Sequence, residues 1–302
     1  MILLYISDEK LFTYDGHPSY LYGLKFCYLN TSSPSKVIAD KTYSRIANRS
    51  QNSFAITGTK YEDPLSFDVE LCSDRVFTEP EVRQIYSVYF DKNQFKELSI
   101  PTDNGEIIYF NCILTNIEKI EGGIGDSFGV VGFKATVMCD APWAWSEEYV
   151  VTPEIEIMRG GIRGFVIHND TDSQDYIYPE VTIVVPGSNE ISACTRIGES
   201  QKYSCSACSQ KENCWGKLQI PQKAMLINTS DSSSRGLCLL AGELEQKIVM
   251  KPKVGLIVDN NGSNKVKETN KLFVRLVPGD NIFMAENIKE IKFKYREARI
   301  LI

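Results

Sequence analysis

Short runs in which apolar and polar residues alternate recur along most of this chain. The clearest is residues 65–71 (LSFDVEL), with four apolar residues on one face and Ser66, Asp68 and Glu70 on the other. This period of two is typical of an antiparallel strand with one buried and one solvated face. Similar runs lie at residues 107–114, 130–138, 178–185, 253–258, 272–276 and 288–295. With turn-forming residues between them, they predict a mainly β chain built of sandwiches and not of βαβ units.

One segment has the pattern of a helix. Thr78 can cap its first turn, Pro80 fits that turn, and Glu81 stands three residues after the cap, as in a capping box. The apolar residues that follow at helical spacing are Val82, Ile85, Tyr86 and Tyr89. We therefore predict a helix here that lays this face on a sheet.

The chain is long enough for two domains, with 302 residues of which 43% are hydrophobic. Its character changes after Trp145, where Glu147 and Glu148 precede a new set of strands. We predict an N-terminal domain over residues 1–146 and a C-terminal domain over residues 147–302. Residues 1–145 hold 13 Lys and Arg against 19 Asp and Glu, whereas the remainder holds 20 of each, so the net charge of −6 lies in the first part.

Composition excludes several classes of function. An acidic first half repels a nucleic-acid backbone, which argues against ordinary DNA binding but suits the wall of a channel through which DNA slides. Two histidines are too few for most His-dependent sites, and no Ser/His/Asp arrangement or carboxylate pair stands out. No catalytic residue is therefore predicted, and an enzyme is not expected. The start lacks a signal-peptide pattern, and no apolar run is long enough to span a membrane.

Several separate motifs give the chain a resemblance to one known family. They are PLSF at 64–67, EVRQI at 81–85, FKEL at 95–98, GFKATVMCDAPWAWS at 132–146, RLVPGDN at 275–281, and a final strand with Phe293, Tyr295 and Arg296. In this order they resemble the distal tail (Dit) proteins of long-tailed bacteriophages, over nearly the whole chain. Residues 87–90 (SVYF) depart from the family, whose helix usually continues into a Trp-Leu pair.

The resemblance implies both a fold and a role. An N-terminal β-sandwich with one helix would form a hexameric ring, and a C-terminal galectin-like β-sandwich would lie on its periphery. The ring would be a structural hub that joins the tail tube and tape measure proteins to the baseplate or tail-tip proteins. DNA would pass through its lumen without specific binding. The protein would reside in the virion tail after assembly in the host cytoplasm. The alternative is a carbohydrate-binding virion protein that contacts the host cell wall.

The nine cysteines do not suggest a disulfide framework, because their number is odd and the expected compartment is reducing. Four lie in a C-x10-C-x2-C-x5-C arrangement within a polar, Ser-rich stretch: Cys194, Cys205, Cys208 and Cys214. Four thiolates at these spacings could bind a structural zinc ion, and virion-stage disulfides or unrelated thiols are the alternatives. The other five are predicted to be buried and inert: Cys27, Cys72, Cys112, Cys139 and Cys238.

Four further features have a functional and an ordinary interpretation. Residues 122–126 (GGIGD) lack the lysine and the following helix of a phosphate loop, so a hairpin tip is predicted. Trp143 and Trp145 could stack on a sugar ring, but we expect them to seal a domain edge or a subunit contact. Residues 168–170 (HND) could face a saccharide, and an Asx turn is the ordinary alternative. Residues 230–235 (SDSSSR) are predicted to be an exposed loop.

Overall fold

A computed structural model describes residues 11–28, 38–48, 53–102, 105–157, 163–186, 223–233, 235–240 and 245–300 of the protein. The chain divides into two compact units. The first consists of Met1–Glu147 together with Ala298–Ile302, and the second consists of Glu148–Glu297. The end of the chain thus returns to the first unit, which the division between residues 146 and 147 did not anticipate. That the two parts are independent domains stays a prediction.

Most of the described chain is organised into short antiparallel strands. In chain order the strands are β1 (Thr13–Tyr14), β2 (His17–Pro18), β3 (Lys25–Tyr28), β4 (Lys41–Asn48), β5 (Ser53–Tyr61), β6 (Ser66–Cys72), β7 (Lys96–Pro101), β8 (Ile107–Ile124), β9 (Ser127–Cys139), β10 (Ala144–Trp145), β11 (Tyr149–Val151), β12 (Glu156–Ile157), β13 (Arg163–Asn169), β14 (Glu180–Val185), β15 (Lys223–Asn228), β16 (Gly236–Leu240), β17 (Gln246–Lys251), β18 (Leu256–Val258), β19 (Gly279–Glu286), β20 (Glu290–Tyr295) and β21 (Ala298–Arg299). The mainly β class that the sequence predicted is confirmed.

The first unit is built on a nine-stranded sheet in the order β2-β1-β7-β8-β9-β6-β3. Strand β10 extends this sheet by pairing with β8 and with β21. The alternation predicted at residues 65–71 is confirmed in β6, where Phe67, Val69 and Leu71 are buried while Ser66 and Asp68 are exposed. Alternation therefore sets which face of the strand enters the core.

One α-helix, α1 (Glu79–Ile85), lies among the described residues of the first unit, where it was predicted. Thr78 occupies the N-cap position, and its N–H and its hydroxyl each donate to Oε2 of Glu81 at 2.8 Å. Pro80 stands in the first turn, where its missing N–H costs no helical hydrogen bond. The predicted start of the helix is therefore confirmed.

A π-helical turn over Tyr86–Phe90 follows α1 directly. The Asp91 N–H donates to the carbonyl of Tyr86, five residues back, so this turn is wider than an α-helical one. The predicted buried face is confirmed for three positions: Val82, Ile85 and Tyr89. It is wrong for Tyr86, which is 51% exposed although its N–H bonds to the Val82 carbonyl at ordinary helical spacing. The Tyr86 ring lies at the edge of the buried face, with its centroid 6.0 Å from that of the buried Phe90.

The core of the first unit lies between the sheet and the helical segment, and it is rich in aromatic rings. The ring of Tyr89 has its centroid 5.9 Å from Phe12, 6.4 Å from Tyr14 and 5.4 Å from Tyr22. The Tyr89 hydroxyl donates to the Pro18 carbonyl at 3.1 Å. The π-helical turn is thus held on the core by both ring packing and a hydrogen bond.

Two hairpins of the first unit have strands that pair only with each other, over part of their length in one hairpin and over all of it in the other. Strand β7 accompanies β8 only over residues 107–112, and β6 accompanies β9 only over residues 132–138. Beyond these limits β8 and β9 pair with each other as far as the turn at Gly125 and Asp126, so the predicted hairpin tip is confirmed. The other hairpin, β4–β5, forms a two-stranded sheet of its own.

The second unit is a sandwich of two five-stranded antiparallel sheets. The strand orders are β11-β20-β14-β17-β18 and β12-β13-β19-β15-β16. Phe293 of the first sheet packs on Phe165 and Phe283 of the second, with ring centroids 5.8 Å and 5.2 Å apart. Both sheets therefore contribute to one core, as in other β-sandwiches. The galectin-like character and the ring stay predictions.

The strands predicted at residues 253–258 and 272–276 are only partly present. Within the first range only Leu256–Val258 is a strand. The second range is not a strand, since Leu276 makes only an isolated bridge with Ile177. A side-chain amide takes the place of a ladder partner there, because Asn228 donates to the Arg275 carbonyl at 2.8 Å.

Among the described residues, no helix has the length and apolarity that crossing a membrane requires.

Candidate interaction surfaces

A cleft of about 260 Å³ lies beside α1 in the first unit. Its lining residues are Leu21, Tyr22, Arg75, Glu81, Gln84 and Ile85. Arg75 forms a bidentate ion pair with Glu81 at 2.7 Å and 3.0 Å. The Arg75 contact, followed by two hydrogen bonds from Thr78, lowers the pKa of the Glu81 carboxyl to about 2. The cleft is therefore an open one that carries an ion pair at neutral pH, beside the exposed side chain of Leu21.

A buried ion pair is the main polar feature of the second unit. The side chain of Asp231 has no exposed surface, and it accepts hydrogen bonds from Arg275 Nε at 2.6 Å and from Arg275 Nη2 at 2.9 Å. This contact lowers the pKa of Asp231 to about 2 and raises the pKa of Arg275. Asp231 was predicted to lie in an exposed loop. That prediction is wrong, because the aspartate folds inward onto an arginine 44 residues away along the chain.

Two exposed tyrosines lie next to this ion pair. The Arg275 guanidinium carbon is 3.5 Å from the ring centroid of Tyr176, and Arg235 donates to the Tyr178 hydroxyl at 3.3 Å. The rings of Tyr176 and Tyr178 remain 40% and 45% exposed. Arginine groups thus orient a pair of aromatic side chains at the surface.

Two asparagines extend the polar network into the core of the second unit. Asn228 donates to Asn281 Oδ1 at 2.7 Å, and both side chains are fully buried. Asn281 in turn donates to the Val277 and Gly279 carbonyls at 2.8 Å and 2.9 Å and accepts from the Val277 N–H. The RLVPGDN motif at residues 275–281 therefore builds this turn and its ion pair. The motif is one of those on which the resemblance to distal tail proteins rests, and its residues have a structural role in this turn.

Residues 168–170 do not form the predicted turn. His168 and Asn169 end strand β13 because that strand stays paired with β19 as far as Asn169. The Asn169 side chain is buried and donates to the Val277 carbonyl at 3.0 Å. His168 is exposed, and its contact with Asp280 at 2.8 Å raises the pKa of the imidazole. Neither buried Asn169 nor the strand geometry supports a saccharide site built from all three residues.

The two tryptophans near the end of the first unit pack within the chain. Trp143 is buried, with its ring centroid 5.5 Å from that of Tyr61 and 5.7 Å from that of Trp145. A buried indole presents no free face to a sugar ring. Sealing an edge of the first unit is therefore the interpretation that the structure supports for Trp143.

The predicted metal ligands Cys194, Cys205, Cys208 and Cys214 lie outside the described residues. The zinc site therefore stays a prediction. Metal analysis of the purified protein should give about one zinc per chain, and a Cys205→Ser/Cys208→Ser variant should lose it. Equal metal content in the two proteins would mean that the cluster is not a site. In the described part of the chain, no three His, Cys, Asp or Glu side chains are grouped to hold a metal ion.

Of the remaining cysteines, two fit the prediction of buried thiols well. Cys112 and Cys139 are buried, and burial raises the pKa of Cys139 to about 12, so neither side chain is a nucleophile at neutral pH. The prediction is wrong for Cys27 and Cys72, which form a disulfide between β3 and β6, with Cα atoms 5.7 Å apart. The two strands are neighbours in the sheet, a proximity that linear spacing did not reveal.

Comparison with known proteins agrees with this architecture. Residues 7–141 match the model of a family described as the phage tail protein N-terminal domain. The Dit protein of phage SPP1 aligns over 96% of this chain and 99% of its own, with a TM-score of 0.59 and 11% sequence identity. Residues 7–141 thus resemble the N-terminal domain of phage tail proteins, and the chain as a whole has the fold of a distal tail protein. The resemblance read from the sequence motifs is therefore confirmed.

Two other solved structures align with lower scores. They are the phage P2 baseplate in its activated conformation with Ca and with Sr, at TM-scores of 0.42 and 0.44. Each covers 93% of this chain and 92% of the other chain, at 11% identity. No curated protein matches this chain in sequence.

Proposed function

We propose that this tail protein is a hexameric structural hub of the virion. The hub joins the tail tube and tape measure proteins to the baseplate or tail-tip proteins, after assembly in the host cytoplasm. The observation that supports this is the full-length match to the SPP1 Dit fold, since the SPP1 protein is described as a hub of an adsorption apparatus. The match spans both units, so the proposal concerns the whole chain and not one domain.

The charge of the first unit supports a place for it around the DNA channel. Residues 1–145 carry a net charge of −6, whereas the remainder of the chain is neutral. An acidic wall repels the phosphate backbone, so that DNA passes without binding. In this role the protein performs no chemistry.

Native mass spectrometry and electron microscopy of the purified protein test the hub. We expect a hexamer, or a concentration-dependent assembly that becomes hexameric when the neighbouring tail proteins are added. A ring with a central channel should be visible in class averages. A chain that remains strictly monomeric, both alone and with those proteins, would overturn the proposal.

Carbohydrate binding is a second candidate function, and one observation favours it. Tyr176 and Tyr178 are exposed beside Arg235 and Arg275, and aromatic rings with adjacent polar groups can stack on sugars. The full-length protein and a Tyr176→Ala/Tyr178→Ala variant should be compared on an array of cell-wall glycans. Binding by the parent that the variant lacks would support this function. If the parent binds no glycan on the array, this function is ruled out.

A further inference from the structure

The β4–β5 hairpin lacks the support that other strands of the first unit receive. Among the described strands, β4 and β5 pair only with each other, over Lys41 to Asn48 and Ser53 to Tyr61. An isolated two-stranded hairpin is at best marginally stable in water. A contact with another protein surface would therefore stabilise a hairpin of this length.

The root of the hairpin is fixed to the first unit. The Ala39 N–H donates to the Pro142 carbonyl at 2.9 Å, just before β4 begins. At the end of β5, the Tyr61 ring packs edge-on against Trp143, and the Lys41 ammonium lies 5.1 Å from the Tyr61 ring centroid. The root is therefore held in place while the strands continue away from these contacts.

The middle of the hairpin exposes large apolar side chains on both of its faces. Tyr43 is 48% exposed, Ile46 is 61% exposed and Ile56 is 62% exposed. Tyr43 and Ile46 lie on opposite faces because they are three residues apart on one strand, and Arg45 pairs with Ile56. One face of the hairpin therefore exposes Tyr43 and Ile56 and the other exposes Ile46, and a protein that covered these side chains would remove their apolar surface from water.

The hairpin is also the basic part of an acidic unit. Residues 41–61 contain four basic residues and no acidic one: Lys41, Arg45, Arg49 and Lys60. Without them, residues 1–145 hold nine basic against 19 acidic residues, a net charge of −10. The charge of the hairpin is thus complementary to the rest of its own unit. That acidic surface is present on every other copy of this chain.

We propose that the β4–β5 hairpin of one copy docks on the acidic first unit of the next copy. The contact is heterologous, since hairpin and receiving surface differ, and heterologous contacts close into rings when the rotation permits. The apolar side chains favour a protein partner over DNA, which is bound chiefly through charge at its phosphates. This inference rests on the proposed hub and names the element that joins its subunits.

A charge-reversal variant, Arg45→Glu/Lys60→Glu, tests the contact in the full-length protein. Its control is Lys247→Glu/Lys292→Glu, which makes the same charge change at two exposed lysines of the second unit. Sedimentation velocity over a concentration series should show the dissociation constant of the oligomer rising about tenfold or more in the first variant only. Added salt should weaken the parent oligomer by screening the same charges. Circular dichroism confirms that each variant is folded.

A photocrosslinker at position 46, in an Ile46→p-benzoylphenylalanine variant, locates the receiving surface. Mixed with isotopically labelled parent protein, it should give crosslinks between copies that map to the first unit. Crosslinks that map only to the second unit, or only within one chain, would overturn the inference. So would a reversal variant that assembles like the parent, and in that case the hub itself would stand.

Two further outcomes separate the remaining explanations. A short DNA duplex that binds the parent but not the reversal variant, with the oligomer unchanged, would assign the hairpin to nucleic acid and overturn the subunit contact. A parent chain that is monomeric alone and with the other tail proteins would instead overturn the hub, and the contact with it.

Discussion

The two units fill their interiors in different ways, although both are antiparallel β-structures. In the first unit, aromatic rings pack in pairs, such as Phe12 on Tyr89 and Phe90 on Phe133. In the second, the interior also holds a polar network in which Asp231 binds Arg275 and Asn228 binds the turn-forming Asn281. Buried polar groups are costly when unpaired, so the network penalises alternative registers in the second unit. In the first unit, the packing of bulky rings has the larger part, together with hydrogen bonds such as that from the Tyr89 hydroxyl to the Pro18 carbonyl.

The largest expected effect is the loss of a core ring from the first unit. Phe133 is buried between Phe77 and Phe90, with ring centroids at 6.2 Å and 5.2 Å. Phe133→Ala should lower the free energy of unfolding of this unit by about 4 kcal/mol, because a cavity remains. Phe128→Ala is the matched control on the same strand, since Phe128 is 77% exposed and its removal should change stability by less than about 0.5 kcal/mol.

Hydrogen exchange with mass spectrometry reads this effect unit by unit. Phe133→Ala should speed exchange in β6, β8 and β9 and leave β14 and β17 protected. Equal loss of protection in both units would contradict the idea that each interior is specified by its own contacts.

Breaking the buried ion pair should have the next largest effect, this time in the second unit. Asp231→Ala leaves the Arg275 guanidinium, only 13% exposed, without its carboxylate, and should destabilise the unit by about 3 kcal/mol. Glu245→Ala is the control, because the Lys289–Glu245 pair is about half exposed and should contribute less than about 1 kcal/mol. Urea denaturation measures both, and similar small losses would mean that the pair does not specify this interior.

The same aspartate predicts a pH dependence. The pKa of Asp231 is about 2 in the folded chain, and an unfolded aspartate has a pKa of about 3.9. A lowered folded pKa gives stability that is present above about pH 4 and is lost as pH falls toward 2. The contribution is of the order of 2 kcal/mol. Urea unfolding between pH 6 and pH 2.5 should therefore show the gap between the parent and Asp231→Asn narrowing. A constant difference in stability between the two proteins would mean that the pKa of Asp231 is not lowered in the folded chain.

The smallest expected effect concerns the start of α1. Thr78→Ala removes the hydroxyl that donates to Glu81 and should cost about 1 kcal/mol, as loss of an N-cap does elsewhere. Thr78→Ser keeps a hydroxyl and should lie close to the parent. Thermal unfolding distinguishes them, and an alanine variant as stable as the serine variant would show that Arg75 and the backbone N–H of residue 78 suffice to position Glu81.

Features that depend on neighbours along the chain followed from the sequence. The alternation at residues 65–71 predicted β6, Thr78 and Glu81 predicted the start of α1, and the GGIGD run predicted the tip of the β8–β9 hairpin. Each rests on the fixed period of strand or helix, or on turn chemistry, which act over a few residues.

Features that depend on partners far along the chain were decided only by the tertiary structure. Asp231 reaches Arg275, Cys27 joins Cys72, and Ala298 returns to Trp145, and in each case the partner was not marked by local spacing. Tyr86 is exposed at the edge of the helical face although it has the spacing of a buried position, and helical spacing does not reveal how far the buried face extends. By itself the sequence determined the mainly β class, the place of the helix and the family resemblance. These depend on local periodicity and on the order of motifs, which do not require knowledge of tertiary contacts. Sheet order and polar partners arise from long-range packing, so only the folded chain decided them.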